Sequence, residues 1–217
     1  MKPKDQVVTG AGPLYSPGRI QGINKRVQMT TPTTTLASRI WQVSGSWKKQ
    51  ALLVVLGSLF IAICAQINIP LPLVPITLQT FAVLAVGAAF GMRLGAATVA
   101  LYVLEGTLGL PVFAEFRAGP AVLMGPTGGY LIGFVLAAAL VGWFAERGFD
   151  RRVLTMFGVM MLGAAVLYIP GLLWLANFTG YDKVLELGLY PFLWGDLLKA
   201  ALAAVAFPTA WSFLGKR

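Results

Sequence analysis

Two opposite charges interrupt an apolar run near the end of the chain. The run covers roughly residues 191–214, and Gly195-Asp196-Leu197-Leu198-Lys199 sits near its start. Residues three apart share a helix face, so Asp196 and Lys199 are expected to serve one point. A run of this length can cross a bilayer, and ionisable groups inside a span are costly and mark function by default. At ~1.5 Å per residue, Asp196 lies about 7–8 Å in from Pro191 and Lys199 about 12 Å. A solute entering from that end reaches both. The structural reading of the same spacing is a mutual ion pair, or snorkelling toward an interface.

Other polar groups fall where the same solute can meet them. Thr77-Leu78-Gln79-Thr80 puts three polar side chains at the start of an apolar run, directly after a proline-rich connection. They suit either a solute pocket or a helix cap with a buried hydrogen bond. Gly125-Pro126-Thr127-Gly128-Gly129-Tyr130 opens another apolar run. Its glycines allow close approach of a helix or a ligand. Thr127 is placed to cap the helix, and the first N–H groups suit a carboxylate. Ser58-x-x-x-Ala62 lets two helices approach closely, within the chain or against a separate subunit. The chain has no histidine and one cysteine, Cys64. The usual general base, the commonest zinc ligand and any intrachain disulfide are therefore missing. Without a Walker A motif, the chain is not expected to hydrolyse ATP.

Membrane helices must position these groups. Of 217 residues, 57% are apolar and 12% charged, the composition of a polytopic all-α membrane protein with one domain. Six apolar runs stand out, at about 49–66, 78–92, 94–108, 129–144, 153–175 and 191–214. The second and third cover only about 22 Å at ~1.5 Å per residue, so they tilt, thin the bilayer or begin in a buried loop. Pro170-Gly171 predicts a kink in the fifth. With six spans and an inward N-terminus, Lys48, Lys49, Arg93, Arg147, Arg151, Arg152, Lys216 and Arg217 fall on one side. The loops of the other side carry only Arg117 and Lys183. That bias places both termini in the cytoplasm.

Residues 1–46 are polar and basic, with Asp5 as their one acid. They read as a disordered cytoplasmic tail ahead of a transmembrane domain at 47–217. Much of the net charge of +9 lies in this tail and beside the spans, which fits orientation and anionic lipid rather than nucleic acid. Residues 67–77 and 109–128 are apolar connections rich in proline and glycine. Exposed loops are normally polar, so these are expected to fold back as a lid over a cavity open to the outside. A re-entrant structural plug is the alternative.

Four ordered motifs carry a family resemblance. Pro70-Leu71-Pro72-x-x-Pro75-Ile76-Thr77-Leu78-Gln79-Thr80 is followed by Gly109-Leu110-Pro111-Val112-Phe113. Then come the glycine motif at 125–130 and Gly195-Asp196-Leu197-Leu198-Lys199-Ala200. Together, over about residues 50–215, the chain resembles the BioY family, the biotin-binding S components of energy-coupling factor (ECF) transporters. The resemblance implies a six-helix S-component fold, multi-pass in the bacterial inner or plasma membrane. It implies a biotin pocket near the outer face, lidded by the loops after spans 1, 3 and 5. A transmembrane T component and two ABC-type ATPases are implied as partners, and the ATP is theirs. The S component itself is implied to be no enzyme and to need no cofactor. It is thought to topple in the membrane, with biotin as its cargo.

With biotin as the implied ligand, Asp196 is expected to accept from a ureido N–H, and Lys199 to donate to the ureido carbonyl or meet the carboxylate, the ureido end being preferred for both. The valerate tail then lies nearer the outer loops. Gln79 and Thr77 add polar contacts, and Gly128 and Gly129 a close approach. Phe113, Tyr130, Tyr168 and Trp174 are implied as apolar walls. Glu115, with Arg117 close by, stands where some members carry a small or amide residue, so the pocket or lid differs there. The family's small-residue docking motif matches Ser58 and Ala62, with Ser in place of the usual Ala.

Other classes fit less well. An intramembrane aspartyl protease needs a second intramembrane Asp to share a proton, and the spans carry none. A secondary transporter of a small anionic solute has Glu105 as a candidate proton site, but the six runs show no clear repeat. An S component for another vitamin is the nearest alternative.

Overall fold

The computed structural model describes residues 35–41 and 46–215. Among them, α6 (Gly128–Ala145) is the helix around which the others gather. Its sequence is apolar on every side, as a helix buried among neighbours requires. It packs against α3 (Gln79–Phe90), α4 (Met92–Thr107) and α7 (Val153–Thr179). Outside this group, α2 (Trp47–Gln66) lies against α3 and α4, and α9 (Tyr190–Gly215) against α7. Three short helices complete the described residues: α1 (Leu36–Trp41), α5 (Pro120–Met124) and α8 (Val184–Gly188).

Among the described residues, four stretches are long and apolar enough to cross a bilayer: α2, α6, α7 and the run from α8 into α9. The helices α3 and α4 are shorter, with 12 and 16 residues. The expected runs match α2, α3, α4, α6, α7 and α9 to within a few residues. Pro170 lies inside α7, which stays helical on both sides of it.

Close approach explains how the short helices fit. A Cβ at Gly87 of α3 would come within 2.5 Å of the Ala138 carbonyl oxygen of α6, so only glycine allows this crossing. Gly91 alone joins α3 to α4, at φ 85, a conformation that glycine adopts without steric cost. The Met92 N–H then donates to Glu146 Oε1 at 2.9 Å, which satisfies one orphan donor at the start of α4.

The tail expectation needs one correction. Residues 1–34 and 42–45 lie outside the described residues, but residues 35–41 belong to the packed body. Thr35, Leu36 and Ala37 are buried, and α1 packs on α3 and α9. Two apolar side chains on one helical turn are enough to seat so short a segment.

The outer connections are built rather than merely extended. Residues 67–78 form a hairpin whose strands β1 (Asn68–Ile69) and β2 (Ile76–Thr77) pair antiparallel, Asn68 opposite Thr77. Pro70, Pro72 and Pro75 stay out of the ladder, where a missing N–H would cost a bond. The second connection makes a 3-10 turn at Ala114–Phe116 before α5.

Candidate ligand-binding site

An apolar cavity opens where the ends of α3, α6, α7 and α9 meet the two folded connections. The start of α6 gives Tyr130 and Phe134, α7 gives Leu167 and Tyr168, and α9 gives Phe192. The hairpin covers it with Val74 and Pro75, and the second connection with Phe113, Ala114 and Arg117. Polar groups enter at few points. Thr77, Gln79 and Thr80 come from the start of α3, and Lys199 from α9. An apolar chamber with a few convergent polar groups is the general form of a small-molecule site. The cavity volume is about 60 Å³.

Lys199 is held in a network. Its Nζ donates to Thr80 Oγ1 at 2.7 Å and pairs with Asp196 Oδ1 at 3.2 Å. The Tyr168 hydroxyl donates to Asp196 Oδ2. The Lys199 side chain is 14% exposed and that of Asp196 7%. A charge this deep persists only with a partner and further hydrogen bonds, and both are present. Asp196 stands behind the cavity wall and faces two neighbouring crevices instead. Lys199 and Tyr168 therefore present the charge pair to the chamber.

Gln79 is fixed in turn. Its Nε2 donates to the Tyr102 hydroxyl at 3.0 Å, and that hydroxyl donates to the Val112 carbonyl at 3.0 Å. A cavity amide is thus tied to the connection that covers the cavity. Tyr102 lies mid-sequence in an ordinary apolar run, and spacing gave no signal for it.

Of the expected residues, Thr77, Gln79, Phe113, Arg117, Tyr130, Tyr168 and Lys199 line the chamber. Glu115 instead pairs with Arg117 at 3.2 Å on the outer surface of the turn. Gly128, Gly129 and Trp174 lie outside the chamber lining. A Cβ on either glycine would run into Leu123, Pro170 or Trp174, so these glycines serve backbone packing. Trp174 donates its Nε1 to the Gly125 carbonyl at 2.9 Å, bracing the entry to α6. Thr127 lines the chamber but makes no side-chain cap; its hydroxyl faces the Val122 carbonyl at 3.4 Å. Thr80, the third polar side chain of the expected cluster, also lines it, and Phe134 and Phe192 join through neighbours far away in sequence.

Ser58 and Ala62 face the interior of the chain. Ser58 is 0% exposed and Ala62 8%, and the Ser58 hydroxyl donates to Glu105 of α4. The pair packs α2 inside the chain. The face that α2 leaves exposed carries Leu52, Val55, Leu59 and Ile63.

Similarity to known proteins agrees in extent with this architecture. The family model described as BioY family matches residues 32–216. The probable biotin transporter BioY of Pyrococcus horikoshii is 39% identical over 157 residues, covering 72% of this chain and 93% of that protein. The biotin transporter BioY of Thermotoga maritima is 44% identical over 147 residues, covering 67% of this chain and 85% of that protein. Among solved structures, the S-component for biotin from an ECF-type ABC transporter superposes with a TM-score of 0.68 at 25% identity. The match covers 76% of this chain and 92% of that one.

Proposed function

The chain belongs to the BioY family, and from that premise we propose that it is the biotin-capturing S component of an ECF-type transporter. It acts in transport and not as an enzyme. The observation that carries the reading is an apolar chamber with one charged corner, Lys199 with Asp196, and a second cation, Arg117, on the covering turn.

Biotin has matching parts. Its ureido ring offers two N–H donors and one carbonyl, its thiophane is apolar, and its valerate ends in a carboxylate. The Lys199 ammonium donates to the ureido carbonyl. Asp196 holds that ammonium in place and accepts from a ureido N–H once its own contacts rearrange. Tyr130, Phe134, Tyr168 and Phe192 enclose the thiophane. Gln79 and Thr77 add hydrogen bonds. The valerate points toward the covering turn, where its carboxylate replaces Glu115 as the partner of Arg117.

The volume supports a covering that moves. At about 60 Å³ the chamber is far below the roughly 300 Å³ at which small-molecule pockets begin. Biotin therefore enters by displacing the hairpin, the turn at Ala114–Phe116, or both. All six longer helices span the membrane in this reading, with the basic side in the cytoplasm. A T component and two ATPases then supply the ATP-driven step, with the chain in the bacterial inner or plasma membrane.

The test is calorimetric titration of the purified chain with biotin. Wild type binds, and Lys199→Ala weakens binding by about 10- to 100-fold, the worth of a hydrogen bond to a charged group. Asp196→Asn weakens it less, because it acts largely through Lys199. Wild-type binding that both variants leave unchanged would place the ligand elsewhere. Absence of binding by wild type would remove biotin as the ligand.

A further inference from the structure

The turn that covers the chamber holds an unusual conformation. Glu115 and Phe116 have φ of 61 and 55, adjacent left-handed residues that lack the freedom of glycine. Such residues persist only where the surroundings over-determine them. Three of the groups that the cavity needs lie on this turn or beside it: Phe113, Ala114 and Arg117.

One side chain grips the turn from outside. Gln66, the last residue of α2, accepts from the Phe116 N–H at 3.0 Å through its Oε1. Its Nε2 donates to the Phe113 carbonyl at 3.1 Å and faces the Val112 carbonyl at 3.4 Å. The same nitrogen bonds the Ala62 carbonyl within α2 at 3.2 Å, which anchors the amide to its helix. Only one orientation of the amide satisfies an N–H on one side and carbonyls on the other. The turn then closes on itself, with Phe113 N–H to the Arg117 carbonyl at 3.2 Å and Arg117 N–H to the Ala114 carbonyl at 3.3 Å.

We propose that Gln66 is a positioning residue for ligand retention. Its amide holds the Phe113–Arg117 turn in the strained form that seats Phe113 and Arg117 over the chamber. Gln66 is absent from the chamber lining and acts only through the turn. The hairpin also leaves α2 directly after Gln66, so one helix end governs both coverings of the cavity. The ligand readout below rests on the biotin reading; the exchange readout does not.

Two measurements test this on the full chain in lipid nanodiscs. The first is hydrogen exchange without ligand, followed at Phe113 and Arg117, whose N–H groups bond to acceptors other than Gln66. Gln66→Ala raises their exchange about tenfold or more, while α6 stays unchanged. Gln66→Glu keeps the acceptor but loses the donors, and opens the turn at least as far. The second is the biotin dissociation rate, which rises in both variants by a similar factor. Phe116→Gly supplies the decisive background, because glycine adopts the left-handed form freely. There, Gln66→Ala changes exchange and dissociation by less than about threefold.

Unchanged exchange at the turn in Gln66→Ala overturns the assignment. So does a rise spread evenly over α6, which marks general loosening. An undiminished effect in the Phe116→Gly background overturns the link to backbone strain. If wild type binds no biotin but exchange responds as stated, the ligand reading falls and the positioning role stands.

Discussion

Arg117 and Lys199 are two cations in one largely apolar chamber, and they do not have the same task. Lys199 is tied to Asp196 and Thr80 among buried helices. Arg117 sits on a surface turn, its side chain 42% exposed, ion-paired with the neighbouring Glu115 and donating its Nε to the Ala114 carbonyl at 3.3 Å. Exposed pairs contribute little, so Arg117 can exchange Glu115 for a ligand carboxylate at small cost. Arg117→Ala is therefore expected to weaken biotin by about tenfold and leave biotin methyl ester nearly unaffected. Titration with both ligands reads the difference, and equal losses would remove Arg117 from the carboxylate. Asp196 and Lys199 were legible because charge inside an apolar run admits few explanations. Gln66 and Tyr102 were not, because their roles depend on backbone carbonyls 46 and 10 positions away. No local pattern encodes those contacts.

Elements far from the chamber are joined by a buried carboxylate. Asp150, in the 3-10 turn between α6 and α7, is 0% exposed. Its Oδ2 accepts from Trp211 Nε1 of α9 at 2.6 Å, and its buried Oδ1 has no hydrogen-bond partner. Burial pushes this carboxyl above its ordinary value, against the opposing pull of Trp211 and Arg151. A raised folded value means that the native state binds more protons than the unfolded chain. The contribution to stability is then full below the unfolded carboxyl value and is lost as pH rises through the folded one. Asp150→Asn keeps an acceptor for Trp211 and removes the charge. The unfolding temperature of wild type should fall relative to this variant as pH rises above the ordinary carboxyl range; parallel curves would show that Asp150 does not titrate differently on folding. At this scale the longer helices were legible from run length alone. The hairpin was hidden by its prolines, and α1 by its six residues within a polar tail.

In the proposed six-span arrangement the basic residues fall on one side of the membrane, and this gives a test of orientation. Arg152 and Lys183 are both exposed, at opposite ends of the α7–α8 region. In a Cys64→Ser background, Lys183→Cys should react with a membrane-impermeant maleimide on intact cells, and Arg152→Cys only after permeabilisation. The reverse pattern would invert the molecule, and labelling of both from outside would remove the six-span count. The length of α3 has a further consequence in the same setting. Its 12 residues cover about 18 Å, against roughly 30 Å of hydrocarbon. In the proposed six-span arrangement the β-hairpin at one end and α1 at the other would fill the shortfall, with non-helical backbone at hydrocarbon depth behind protein, where it is tolerated. That arrangement would set acyl chains as well as water against the covering of the chamber. A thicker or stiffer bilayer would then load that covering differently from a thin one, and biotin titration in nanodiscs of two thicknesses would read the difference as a change in affinity.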